Sequence, residues 1–91
     1  MMKTLCCWHA YEQTRFVLQS IMDLFAKEEL PFENLYRTRL FVTDISWWEE
    51  VGRAYGEFFK EVKPVATMVE VPSLIGKDLL VEIEVFAKLE K

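Results

Sequence analysis

A chain of 91 residues is long enough for one domain and short for two, so we expect a single domain that spans residues 1–91. Its 15 acidic and 11 basic residues give a net charge of −4 with no run of Lys or Arg, which disfavours nucleic acid as a partner. Because 52% of the residues are hydrophobic and 14% aromatic, some apolar side chains are expected at an interface between copies of the chain.

The cysteines and the single histidine exclude several kinds of site. Cys6 and Cys7 are neighbours, and a disulfide between neighbours strains the peptide that joins them, so no disulfide framework is expected. With His9 they lack the gaps that let thiolates converge on zinc, so we expect no metal, and no cofactor is expected either. The sequence has no signal-peptide or transmembrane run, and we expect a cytoplasmic protein without a membrane partner.

The first strongly periodic segment, Ala10 to Glu28, predicts an amphipathic helix. The expected buried face recurs at helical spacing and consists of Thr14, Val17, Leu18, Ile21, Leu24 and Phe25. Pro31 ends the helical region, because the residue before a proline disfavours helical backbone angles. The next segment, Leu35 to Thr43, alternates and is rich in β-branched and aromatic residues, so it predicts a strand.

A second helix is predicted to begin at Ser46. Ser46 and Glu49 have the spacing of a capping box, in which each side chain bonds the backbone N–H of the other residue. The apolar stripe that follows contains Val51, Ala54, Tyr55, Phe58 and Phe59. We interpret this stripe as a core face in preference to an aromatic binding surface, because its spacing is helical.

Two more strands are predicted after Pro64, which closes the second helix. The segments Val65 to Val71 and Leu79 to Lys88 both alternate, and the stretch Pro72 to Asp78 between them has the composition of a loop. We expect these two strands to pair with each other in antiparallel fashion.

The element order is therefore α-β-α-β-β, in which the central β-α-β unit should join parallel strands by a right-handed crossover. Both helices then cover one face of the sheet. The other face is left bare and carries Thr38, Val69 or Ile83, depending on the register. Either the extreme N-terminus adds a strand or copies of the chain cover each other.

Four segments, taken together and in order, resemble the YjgF/RidA family of reactive intermediate deaminases, also called endoribonuclease L-PSP. The match extends from about Glu12 to Ala87. The segments are EQTRFVLQSI, RTRLFVTDIS, VGRAYGEFF and VEVPSLIGKDLLVEIEVFA. The resemblance implies a chorismate-mutase-like α/β (α+β) fold with a mixed sheet, a homotrimer whose sheets face inward, and small-molecule clefts between subunits.

The resemblance also implies the site residues. In the family an arginine after the proline that opens the penultimate strand grips the substrate carboxylate; here that position is Ala66, and Met68 replaces a nearby Cys or Thr. The family glutamate that positions the attacking water matches Glu82, which is otherwise a solvent-facing strand residue. Arg39 or Arg37 is a candidate to replace the lost cation. Before the first helix, only Lys3 to Trp8 could form one of the strands that the family has there.

Four functions are compatible with this pattern. The first is a homotrimeric protein that binds a small carboxylate- or imine-bearing metabolite without the arginine. The second is an active enamine or imine deaminase, a hydrolase of the 2-iminobutanoate/2-iminopropanoate type, that uses Glu82 with a substitute cation. The third is an endoribonuclease or translation inhibitor, which the charge disfavours. The fourth is a degenerate subunit that assembles with a longer relative.

Overall fold

The computed structural model describes residues 9–60, 63–76 and 78–89. The elements are helix α1 (Ala10–Lys27), strand β1 (Leu35–Val42), helix α2 (Trp48–Phe58), strand β2 (Val65–Glu70) and strand β3 (Val81–Ala87). Short 3-10 turns, Phe32–Asn34 and Ile45–Trp47, precede β1 and α2. This order confirms the predicted α-β-α-β-β pattern. Lys3 to Trp8, which could at most supply one short strand, lie outside the described residues.

The sheet has the strand order β2-β1-β3, with β2 parallel and β3 antiparallel to β1. The predicted direct pairing of the last two strands is therefore wrong. The loop after β2 explains the difference: Val71 N–H donates to the carbonyl of Val42 (2.8 Å), and Thr43 N–H donates to that of Leu80 (3.1 Å). The loop thus crosses the carboxyl end of β1 and delivers β3 to the opposite edge of that strand.

One face of the sheet packs against the two helices, as predicted. Leu40 and Val42 of β1 lie in a core cluster with Val51 of α2 and Val81 of β3. The second core cluster joins α1 to the other end of the sheet and contains Leu18, Phe25, Leu35 and Phe59. Burying apolar side chains from both helices and the central strand is the main stabilising contribution in a chain of this size.

The register determines which residues occupy the opposite, open face. Its three rows across the sheet are Val65–Arg37–Phe86, Thr67–Arg39–Glu84 and Val69–Phe41–Glu82. Of the three residues considered for this face, only Val69 lies on it. Thr38 is fully buried on the helix side, where its hydroxyl is 2.9 Å from the phenol of Tyr55, and Ile83 packs against both core clusters.

Helix α1 departs from its predicted stripe at two positions. Leu24 is 54% exposed, whereas its neighbour Phe25 is buried, so Leu24 lies off the face that packs on the sheet. Gln13 is buried instead. Its amide nitrogen donates to the carbonyl of Asp78 (3.0 Å) and its amide oxygen accepts from Leu80 N–H (2.8 Å), so the polar side chain ties α1 to the start of β3.

The start of α2 differs from the predicted capping box. Asp44 accepts hydrogen bonds from both the backbone N–H and the hydroxyl of Ser46, at 2.9 and 2.7 Å. Ser46 therefore acts as a donor within a 3-10 turn, and α2 begins two residues later at Trp48. The predicted core stripe is confirmed at Val51, Ala54 and Phe59, which are buried, whereas Tyr55 and Phe58 are only partly buried.

Candidate ligand-binding site

Ala66 and Met68, the site residues predicted on β2, lie on the helix side of the sheet. They pair with Thr38 and Leu40 of β1, whose side chains face the helices. Met68 packs against the core, but Ala66 is exposed because the helices do not extend over this part of the edge strand. The side chains of Ala66 and Met68 themselves carry no group that can bind an anion.

Glu82 and Arg39 lie on the open face, on the opposite side of the sheet. Glu82 is exposed beside Phe41, and within the described residues no hydrogen bond or ion pair to it is found. Arg39 is already engaged: its Nε and Nη2 atoms both contact Oε1 of Glu84, at 2.8 and 2.7 Å. Arg39 would have to leave Glu84 before it could bind a ligand carboxylate.

Arg37 is the more available of the two cations. Its guanidinium lies over the ring of Phe86, 5.3 Å from the centroid, and the guanidinium of Arg39 lies 5.4 Å from the same ring. In the described part of the chain Arg37 has no carboxylate partner. Glu84 and Phe86 were not identified as site residues from the sequence, although their alternation with Glu82 already places all three on one face of a strand.

The predicted residues therefore form two groups that do not meet within one chain. Ala66 and Met68 project from one side of the sheet, Glu82 and Arg39 project from the other, and β1 separates β2 from β3. A site that contains both groups requires a second chain, whose open face would approach the exposed start of β2.

Tyr55 is a further aromatic residue in the matched segments, and it has a structural role. It packs against both core clusters and forms a tilted pair with Phe59, with the ring centroids 4.4 Å apart. Burial raises the pKa of its phenol, while the hydrogen bond with Thr38 opposes the shift. The hydroxyl is thus neutral near pH 7 and satisfied inside the core.

A concave pocket of about 640 Å³ lies elsewhere, between the C-terminal turns of α1, Tyr36 and residues 85–87 of β3. None of the four predicted site residues lines it. The described residues contain no group of three or more His, Cys, Asp and Glu that could hold a metal ion. Neither described helix combines the length and apolar character that a membrane span requires.

Comparison with known proteins identifies the fold and the family. The family model for endoribonuclease L-PSP matches residues 3–89. A crystal structure from Mycobacterium tuberculosis, of a member of the highly conserved YjgF/YER057c/UK114 family, superposes with a TM-score of 0.78 at 42% identity over 84% of this chain and 64% of that one. The chain belongs to the YjgF/RidA family.

Other YjgF/RidA relatives agree. A RutC family protein of Pyrococcus horikoshii is 32% identical over 87% of this chain and 62% of its own length. An uncharacterized protein of Streptomyces coelicolor is 35% identical over 85% of this chain and 58% of its own length. The chain thus spans about three fifths of the length of these relatives. The described part of the chain, a mixed three-strand sheet with two helices on one face, matches the fold of these YjgF/RidA structures.

Proposed function

We propose that the chain is a subunit of a homotrimer that binds a small metabolite in clefts between subunits, and that it lacks the carboxylate-binding arginine of the YjgF/RidA deaminases. The observation that carries this proposal is the separation of the site residues onto opposite faces of the sheet. Ala66 of one chain and Glu82 of another would line the same cleft only when two copies meet. The apolar side chains exposed on the open face support the same assembly, since exposed apolar patches are typical of interaction surfaces.

The loss of the arginine argues against efficient imine hydrolysis. A guanidinium binds a carboxylate through two parallel hydrogen bonds that fix the substrate while water attacks the neighbouring carbon. The methyl group of Ala66 supplies neither bond. Glu82 does not compensate, because its negative charge repels the carboxylate of the substrate.

The test is the hydrolysis of a 2-imino acid generated in situ. The wild-type chain should react slowly, and Ala66→Arg should raise the rate by roughly tenfold to a few hundredfold, since each charge-assisted hydrogen bond contributes about 1.5–3 kcal/mol. Ala66 is exposed, so the longer side chain has room. Ala66→Met is the matched control, because it places a long uncharged side chain at the same exposed position.

A wild-type rate equal to that of arginine-containing relatives would contradict the proposal. It would favour the second candidate, a working deaminase in which another cation holds the substrate. The position of Arg37 supports the deaminase function, because Arg37 lies on the open face with Glu82 and has no carboxylate partner among the described residues. In that case Arg37→Ala should abolish the activity, whereas Arg39→Ala should affect it less, because Arg39 is held by Glu84.

RNA cleavage is the third function, suggested by the endoribonuclease L-PSP description of the family model. The net charge of −4 argues against a phosphate-binding surface. An RNA-cleavage assay over a series of salt concentrations tests it, and salt-sensitive cleavage by the wild-type chain would support it. We expect no RNA cleavage.

We also expect that the protein is located in the cytoplasm.

A further inference from the structure

The open face of the sheet carries charge of opposite sign at its two ends. The first row across the strands, Val65–Arg37–Phe86, carries one positive side chain. The middle row contains Arg39 and Glu84, which neutralise each other. The last row, Val69–Phe41–Glu82, carries one negative side chain. The face is therefore polarised along the strand direction, with a neutral pair in the middle.

The two terminal charges do not pair with each other within the chain. Arg37 lies opposite Phe86, four residues along β3 from Glu82, which corresponds to roughly 13 Å at the rise of a strand. The Arg39–Glu84 pair lies between them. Both side chains are exposed, and neither has an oppositely charged partner in residues 9–60, 63–76 and 78–89.

Apolar side chains accompany each terminal charge. Val65 is 68% exposed beside Arg37, and Val69 is 40% exposed in the row of Glu82. A surface with exposed apolar groups and a charge of opposite sign at each end can place its positive end against the negative end of a partner surface. A second copy of the same chain offers that arrangement, because its positive end complements the negative end of the first.

We infer that Arg37 of one chain forms an ion pair with Glu82 of the neighbouring chain, and that this pair fixes the register of the assembly. The inference rests on the proposed homo-oligomer and adds the contact that orients it. Each chain then donates Arg37 to one neighbour and Glu82 to another, which is a head-to-tail interface that can close into a ring. Val65 and Val69 lie in the same rows as the two charges, so the pair would form beside apolar contacts of the same interface.

Charge reversal tests the inference, with the dissociation constant of the assembly measured by analytical ultracentrifugation. Arg37→Glu and Glu82→Arg should each weaken assembly by roughly tenfold or more, because like charges then face each other across the interface. The double variant restores an ion pair of the opposite polarity and should return to within about threefold of the wild type. Lys60→Glu is the control, since Lys60 is exposed after α2 and lies outside the open face.

The possible outcomes distinguish the Arg37–Glu82 ion pair from the homotrimer itself. A wild-type chain that stays monomeric overturns both. A wild-type oligomer that tolerates both single reversals, or a double variant as weak as the single ones, overturns the ion pair and leaves the assembly standing. If circular dichroism shows that a reversal unfolds the chain, the neutral variants Arg37→Gln and Glu82→Gln replace it. Their effects should then be equal and non-additive, and additive effects would contradict the pair.

Discussion

The two faces of the sheet differ in how far the chain itself covers them. On the helix side, Leu40, Val42 and Val81 are at most 2% exposed and pack against both helices. On the open side, Val65 and Val69 remain exposed, and no described element covers them. The helix side is completed by the chain itself, and the open side has the character of a surface that another molecule completes.

Polar groups follow the same division. On the helix side they are buried and bonded, as in the contact between Thr38 and Tyr55 and the two bonds of Gln13. On the open side the charged groups are only partly satisfied, because Arg39 pairs with Glu84 while Arg37 and Glu82 do not pair within the described residues. Buried polar groups contribute to a fold when they are bonded, whereas exposed charges are available for recognition.

The largest expected loss of stability comes from a substitution on the helix side of the sheet. Phe59→Ala should lower the free energy of unfolding by about 3–5 kcal/mol, because Phe59 is 5% exposed, stacks on Phe32 and forms a tilted pair with Tyr55. Phe58→Ala should have a smaller effect, since Phe58 is only partly buried. Urea denaturation measures both. The loss for Phe59→Ala should be the same at every protein concentration.

Phe41→Ala is the matched change on the open face. Its effect should grow with protein concentration, because it acts through assembly and a bound partner stabilises the folded chain by mass action. Equal, concentration-independent losses at Phe59 and Phe41 would mean that the two faces do not differ in the way described.

A smaller loss of stability is expected when the buried hydrogen bonds of Gln13 are removed. Gln13→Leu leaves the N–H of Leu80 and the carbonyl of Asp78 without these partners, which should lower the free energy of unfolding by about 1–3 kcal/mol. Gln19→Leu is the control, because Gln19 is exposed on the same helix and its side chain donates a hydrogen bond to the exposed Asp23. Thermal denaturation of the two variants should separate them; identical midpoints would show that the buried bonds contribute nothing.

The smallest effect lies on the outer surface of the helices. Glu57 accepts a hydrogen bond from the phenol of Tyr11 (2.6 Å) and one from Arg15, and these bonds, that of Tyr11 first, hold the pKa of Glu57 below its ordinary value of 4.5. A carboxyl group whose pKa is lower in the folded chain than in the unfolded chain stabilises the fold at pH values above its ordinary pKa. This stabilisation is lost as the pH falls through the lowered pKa of the folded chain. Glu57→Gln should therefore be slightly less stable than wild type at pH 7.

The difference between wild type and Glu57→Gln should narrow as the pH falls below 4.5. Urea denaturation at several pH values measures it. A difference that stayed constant with pH would mean that the carboxylate charge has no part in joining the two helices. Because these groups are exposed to solvent, a screened and small effect is expected.

Local patterns predicted the elements better than their pairing. The spacing of Leu18 and Phe25 in α1 and of Val51 in α2 reports directly which face of a helix is buried, so the presence of both helices was predicted, although not the start of α2 or the exposure of Leu24. The neighbours of a strand are not encoded in its alternation. Val65 to Val71 and Leu79 to Lys88 suit an antiparallel pair, and only the loop that crosses the end of β1 shows that they lie on its two sides.

The residues of the candidate site could be predicted from the sequence, but their positions relative to one another could not. The matched segments pointed to Ala66 and Glu82, and the register then placed them on opposite faces. The engagement of Arg39 by Glu84 depends on a cross-strand contact between residues 45 positions apart, which no local pattern reveals. The same holds for the hydrogen bonds of Asp44, which replaced the capping box predicted at Ser46.

The mass of the protein in solution tests most directly the claim that another copy completes the open face. Multi-angle light scattering across micromolar concentrations should give three times the chain mass of 10.8 kDa. Glu82→Arg should move the population toward the single-chain mass under the same conditions, while Lys60→Glu should not. A wild-type chain that keeps the mass of one chain at every concentration would contradict the account.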